Sequence, residues 1–489
     1  MNAIACLRLA IASVFVAALA PTWADPDLWG HLRFGADIVA HGIAARDPYA
    51  FTSAPVWVNQ SWLADVLMHA AWAAGGASLL IGAKLALACA VIGLGARHLH
   101  RTGVRGPLIE LVVFVAVAAL YPAVPIIRPQ LLSLLAFAVL LDLQARHDAA
   151  EPRRLAWAPL VFVVWANLHG GFVLGLTELG IWLAVEIMLA RDWTRRAALA
   201  AAGIASVVAT LATPYGSLAW RQIVLALGTP LRDVAEWRGL LETGSPAIAV
   251  WVALVGIAAY AIIVVGIRPS RLAVLAWLAV ASWNARRLLP FFGLATLWFL
   301  APGLAELGRR RIAITSSRPV RPALAGALVV AAVGLVAWNG WRVVHAFGCI
   351  RMDHTREADV RGAEFIAANH LGGRILTYSD WGLYVIWHFA PELRPSLDGR
   401  REFAYPLDEL ARHDRIYWNE PSAVADVDAL APDYVWLPAT LPVIPTLVGA
   451  GWTRVFTGER STVLARSTSA AYVMPPSRPL PPCFPADPR

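Results

Sequence analysis

The chain has 489 residues, 58% hydrophobic and 15% charged, and its mean hydropathy of +0.58 excludes a soluble domain: the solvent for most of it is a bilayer. The net charge of +8 does not point to nucleic acid, because nearly every cation is an arginine placed between apolar segments and Lys84 is the only lysine. The four cysteines form no CxxC pair and no Cys/His cluster, so neither a structural zinc site nor a thioredoxin-like motif is present.

A membrane helix needs about 20 mostly apolar residues. Such segments follow one another at 7–24, 77–96, 107–121, 131–145, 156–167, 171–190, 197–213, 247–267, 272–284, 288–305 and 323–340. They predict an all-α polytopic membrane domain over residues 1–341, with about eleven transmembrane helices and a first outer loop at 25–61. His169, Gly170 and Gly171 break the apolar block 156–190 and predict a tight turn on the outer side.

Alternate connections differ in charge. The N-terminal side and the loops 97–106, 146–155, 191–196, 268–271 and 309–322 carry 17 arginines, against 8 in the longer opposite set. By the positive-inside rule the N-terminus is cytoplasmic and everything after 342 lies outside a bacterial inner membrane. A second reading makes the first span a cleaved signal peptide ending near Thr22-Trp23-Ala24, which leaves every later helix in the same orientation.

From Arg342 the composition becomes globular. Helices are predicted at 356–369, 381–389, 406–430 and 441–449, and strands at 374–378, 395–397, 433–437, 453–457 and 462–465. This alternation predicts a small α/β extracytoplasmic domain at 342–466, followed by an irregular Pro-rich tail at 467–489. Cys6 and Cys89 fall in apolar stretches, whereas Cys349 and Cys483 lie outside with no competing outer cysteine and are predicted to pair.

Polar residues worth a chemical role concentrate in the first outer loop. Asp27 follows Pro26 and opens a helix through Val39, a favourable place for an anion, and His31 shares its face one turn on. Asp25 and Asp27 read either as a general base and divalent-cation ligands or as a helix cap and a solvated charge. Trp23, Trp29, Trp57 and Trp62 read either as an interfacial belt or as sugar-stacking surfaces. Arg128, Arg286 and Arg287 fall at outer span ends, where a guanidinium grips a lipid phosphate or merely snorkels. His169 and Asn167 stand at the outer turn, either lining a site or stabilising the turn. Lys84 and Glu178 lie inside spans, where charge is costly, and are predicted to pair with each other or with other polar groups. Asp398-Gly399-Arg400-Arg401 reads as an acceptor-binding loop or as a turn that ends a strand.

The run Asp25-Pro26-Asp27-Leu28-Trp29-Gly30-His31-Leu32-Arg33, with Asp47-Pro48-Tyr49 and Trp57-Val58-Asn59-Gln60-Ser61-Trp62-Leu63 downstream, resembles the first loop of bacterial membrane proteins of the GT-C glycosyltransferase superfamily. Trp165 to Phe172, Asn284-Ala285-Arg286-Arg287 and Ser379-Asp380-Trp381-Gly382 are similar to other segments of that group. The resemblance implies a GT-C-like fold and transfer of a sugar from a polyprenyl-phosphate donor to a glycan, lipid or protein acceptor. It also implies a catalytic base or metal ligand at Asp27 or Asp25, with Mg2+ or Mn2+ as the cation where one is used. His31, Asp47, Gln60, Trp62, Arg128, His169, Arg286, Arg287 and Asp380 are then the candidate substrate-binding residues. Gly30 stands where similar sequences often carry a second Trp. Two other functions remain open at this point: a transporter or flippase, argued from Lys84 and Glu178, and a scaffold of an envelope-polysaccharide complex, argued from the outer domain.

Overall fold

The computed structural model describes residues 3–54, 56–104, 107–121, 123–148, 151–227, 237–312, 322–355, 357–466, 471–476 and 478–488. Its helices in chain order are α1 (Ala3–Leu19), α2 (Pro26–His41), α3 (Trp62–Thr102), α4 (Pro107–Leu120), α5 (Gln130–Asp148), α6 (Ala158–Leu168), α7 (Phe172–Leu189), α8 (Trp193–Ala209), α9 (Ser217–Leu227) and α10 (Leu240–Thr243). They continue with α11 (Ser245–Val265), α12 (Pro269–Asn284), α13 (Leu289–Ile312), α14 (Pro322–Ala346), α15 (Val360–Ala368), α16 (Gly382–Phe389), α17 (Leu407–Tyr417), α18 (Ala423–Leu430) and α19 (Val443–Gly449). Five strands complete the set: β1 (Gly373–Thr377), β2 (Leu393–Pro395), β3 (Tyr434–Pro438), β4 (Thr453–Thr457) and β5 (Ser461–Ala465).

The chain forms two compact units: a helical unit of Met1–Thr22, Ile81–Ser217 and Pro230–Gly348, and a sheet unit of Trp23–Leu80, Leu218–Thr229 and Cys349–Arg489. The border expected at 342 falls near Cys349, while the first loop, expected with the membrane domain, folds in the same unit as the C-terminal segment.

In the helical unit each predicted apolar segment is a helix. Among the described residues, five helices are long and apolar enough to cross a membrane, within Trp62–Thr102, Phe172–Leu189, Pro246–Val265, Arg286–Glu306 and Gly326–Ala346. α1 lies on α14 through the small buried residues Cys6, Ala10 and Ala332, and Asn339 Nδ2 donates to Ser13 Oγ at 3.1 Å. Lys84 and Glu178 do not pair with each other. Lys84 Nζ donates to the carbonyls of Leu19 (2.8 Å) and Pro21 (3.1 Å) and to Thr22 Oγ1 (2.7 Å), closing the C-terminal end of α1 where carbonyls lack helical partners. Glu178 accepts from Gln144 Nε2 at 3.1 Å. Glu178 Oε1 is buried without a hydrogen-bond partner among the described residues.

The sheet unit holds a five-stranded sheet of order β2-β1-β3-β5-β4. β1 pairs in parallel with β2 and β3, as strands joined through helices must, and β5 runs antiparallel to β3 and β4. One face buries Leu376, Val435, Leu437 and Leu464 against Ile416, Val427, Ile444 and Leu447. Cys349 and Cys483 are disulfide-bonded, with Cα atoms 5.3 Å apart. Beyond Ser467 the described residues form no helix or strand, yet the tail is packed: Phe484 and Ala486 are buried, Trp29 Nε1 donates to the Pro485 carbonyl (3.2 Å) and the Tyr384 hydroxyl to that of Ala486 (2.9 Å).

Candidate active site

The sheet unit places the acidic end of α2 at the centre of a polar site. Asp25 is extended (φ −130°) and caps the helix, its Oδ1 accepting from the Asp27 amide at 3.0 Å, and Pro26 occupies the first turn where no amide is needed. Asp27 therefore sits half-buried at the positive end of the helix dipole. One wall beside it is Gly399: a Cβ added there would lie 2.8 Å from Asp27 Oδ1 and 3.1 Å from Leu383 Cδ1. Gly30 also faces Leu383, at 2.8 Å from an added Cβ, so no stacking side chain fits there.

His31 is oriented by a short polar chain. Its Nδ1 lies 2.7 Å from Asp65 Oδ1, Asp65 Oδ2 accepts from Asn59 Nδ2 at 2.7 Å, and Asn59 Oδ1 accepts from the Ser61 amide at 3.0 Å. Burial alone would lower the His31 pKa, but the charge and hydrogen bond of Asp65, reinforced by Asp27 and Asp25, hold it above the usual value. The chain exists because Gly35 lets α2 touch α3: an added Cβ would meet the Asp65 carbonyl oxygen at 2.1 Å.

Glu357 brings a further carboxyl group to this site. It is 2% exposed, and its Oε2 has no hydrogen-bond partner among the described residues. Burial first, and then the charges of Asp25, Asp380, Asp27 and Asp353, push its pKa up to about 9, so it is a neutral acid at pH 7. Asp380 itself is exposed on a short turn, accepting from Ser379 Oγ at 3.3 Å. Gln60 is half-buried with Nε2 unpartnered among the described residues, and Trp62 is half-buried at the start of α3.

Asp47 is used differently. Arg400 Nη1 and Nη2 donate to its two oxygens at 2.8 and 2.9 Å, and the same guanidinium donates through Nε and Nη2 to Asp398 at 2.9 and 2.7 Å. Trp57, Phe34 and Tyr49 surround it, their ring centroids 4.7, 5.2 and 5.4 Å from the guanidinium carbon. The side chain of Asp47 is fully buried, so its carboxylate faces Arg400 and not solvent.

The helical unit gathers the basic candidates separately. Gln130, at the start of α5, donates to the Arg287 carbonyl at 3.5 Å, and the Arg287 guanidinium lies 4.5 Å from the Trp237 ring. Arg128, Arg286 and Arg287 are half-buried, and the Arg286 amide donates to the Arg238 carbonyl at 3.0 Å. His169 Nδ1 lies 2.8 Å from Ser133 Oγ and accepts from the Gly171 amide at 3.1 Å, which puts the proton of the neutral ring on Nε2. Asn167 closes helix ends instead, donating to the Val163 and Ala212 carbonyls at 2.8 Å.

Among the described residues no group of three or more His, Cys, Asp or Glu is placed to hold a metal ion, Asp25 Oδ1 is committed to the helix cap and Glu357 holds its proton.

Asp65, Asn59 and Glu357 are not among the candidate site residues read from the sequence. Asn59 stands inside the Trp57 to Leu63 run and Asp65 two residues beyond it, Gly399 lies in the Asp398 to Arg401 stretch, and Glu357 carries no signal.

No family profile matches the sequence, and no curated protein matches it. Among solved structures the chain is similar to the crystal structure of ArnT from Cupriavidus metallidurans in the apo state, at 14% identity and a TM-score of 0.51, covering 95% of this chain and 97% of that one. At that identity the likeness speaks to fold and transfers no residue roles. Together with the apolar helices and the small C-terminal sheet, it shows that this chain shares the fold of that protein.

Proposed function

We propose that the protein is a glycosyltransferase of the bacterial inner membrane that moves a sugar from a polyprenyl-phosphate donor to a hydroxyl of an extracytoplasmic glycan, lipid or protein. The observation that carries this reading is the half-buried Asp27 carboxylate, held at the N-terminal end of α2 inside a GT-C fold. Asp27 stands at the positive end of the α2 dipole, beside the Gly399 backbone.

The reaction is a single displacement. Asp27 takes the proton of the acceptor hydroxyl, the acceptor oxygen bonds to the anomeric carbon, and the bond from that carbon to the phosphate oxygen breaks, leaving the electron pair on the lipid phosphate. Attack opposite the leaving group inverts the anomeric centre. Arg128, Arg286 and Arg287 of the helical unit are candidates for a lipid phosphate by their chemistry alone, since a guanidinium grips a phosphate bidentately. No step is routed through a metal.

The lipid assignment is tested by the melting temperature of the purified protein in detergent. Polyprenyl phosphate is expected to raise Tm saturably, because a ligand that binds only the native state stabilises it, while phosphatidylglycerol at the same concentration leaves Tm unchanged. Equal shifts with both lipids would refute a dedicated polyprenyl-phosphate site.

A further inference from the structure

Asp398-Gly399-Arg400 was read from sequence as a turn or an acceptor loop, and Asp47 as a substrate contact; the structure ties all of them to one object. Arg400 is 9% exposed, yet four hydrogen bonds to Asp47 and Asp398 and the surrounding rings hold it. Asp398 is fixed in turn by the Tyr405 hydroxyl at 2.6 Å and by the Arg400 amide at 2.9 Å. No rotamer of Arg400 can change without stranding two buried carboxylates. Gly399, between the two clamped residues, is thus a fixed piece of backbone, and Asp27 Oδ1 lies against it.

We propose that Arg400 is a positioning residue for Asp27: by clamping Asp47 of the first loop to Asp398, it holds Gly399 as a rigid wall that sets the direction of the Asp27 carboxylate. This rests on Asp27 being the catalytic base and says how that base is aimed. What a Cβ at 399 would meet first is the Asp27 carboxylate itself, at 2.8 Å. That oxygen ends a flexible side chain, so Gly399→Ala leaves the fold intact and moves the base.

The test is transfer of labelled sugar from polyprenyl phosphate by the full-length protein in membranes, with Gly399→Ala, Arg400→Lys and Asp27→Asn compared at matched expression. Displacing a reacting group by about 1 Å costs on the order of 100-fold in rate. Gly399→Ala is therefore expected to lose kcat on that scale with the donor KM and Tm unchanged. Arg400→Lys keeps the charge but not the two-sided fork, and is expected to lose kcat in the same direction. Wild-type kcat in folded Gly399→Ala, or a loss expressed only in KM, would overturn the positioning role. An inactive Asp27→Asn beside a fully active Gly399→Ala overturns this inference alone, whereas an active Asp27→Asn overturns the underlying reading. Should Gly399→Ala fail to fold, the wall has no room for the base to yield, and the proposal is overturned as well.

Discussion

Glu357 carries the clearest pH signature of the sheet unit. Burial, and then the charges of Asp25, Asp380, Asp27 and Asp353, raise its pKa from 4.5 to about 9 in the folded protein. The unfolded chain therefore releases this proton at lower pH than the folded one. The group's contribution to stability is fully present below pH 4.5 and is lost as the pH rises towards 9. Glu357→Gln, which never ionises, is predicted to raise Tm over wild type at pH 8 by more than at pH 5; a gap independent of pH would contradict the neutral acid. At this scale the sequence exposed Asp25, Asp27 and His31, because a helix start and a one-turn spacing are local. It could not expose Glu357, whose meaning depends on the return of the chain to α2 from far away, it left the Asp398–Arg401 stretch open between loop and turn, and it could not show that Asp47 is consumed by Arg400.

At the scale of elements, the packing of α2 on α3 decides whether His31 meets Asp65. Gly35→Ala drives a Cβ into the Asp65 carbonyl, which is backbone and cannot swing aside. Overpacking of that kind costs about 1–3 kcal/mol. Denaturation in detergent should show the loss, and it should be absent in Ala36→Ser on the partly exposed neighbouring position. Apolar periodicity located most helices and strands within a few residues, but not the first part of α3, which starts at Trp62 and is broken from the span expected at 77–96 by non-helical Gly75 and Gly76. The stretch 406–430, expected as one helix, is two, α17 and α18: Asn419 adopts φ +56° and Pro421 disfavours helix in the residue before it. α9 was missed because its residues follow a loop-like Pro-Tyr-Gly-Ser and its apolar run is short.

At the scale of the molecule, loop charge predicts a cytoplasmic N-terminus and a sheet unit outside. A phosphatase reporter fused after Arg342 should be active, and its inactivity beside an active cytoplasmic reporter at the same point would refute the topology. The disulfide Cys349–Cys483 belongs to the same expectation, since such bonds persist in oxidising compartments. Protein purified without reductant should show no free thiol at either position, and labelling of both would contradict the pairing. Hydropathy made the helical unit readable, because length and apolarity suffice for a span. The joining of the first loop to the C-terminal segment was not readable, since it rests on the long-range pair Asp47 and Arg400 and on the Pro485 carbonyl accepting from Trp29.

The central claim is that Asp27 is the base. Asp27→Asn preserves shape and leaves the Asp25 cap in place, so folding and insertion should be normal, while loss of a general base costs about 10²–10⁴-fold in rate. Asp25→Asn retains a good capping residue and should cost far less. The measurement is transfer of labelled sugar from polyprenyl phosphate by membranes holding each variant at matched, folded expression. The account predicts a loss of at least about 100-fold for Asp27→Asn; near-wild-type transfer by that variant would contradict it and return Asp27 to the role of a helix-end charge.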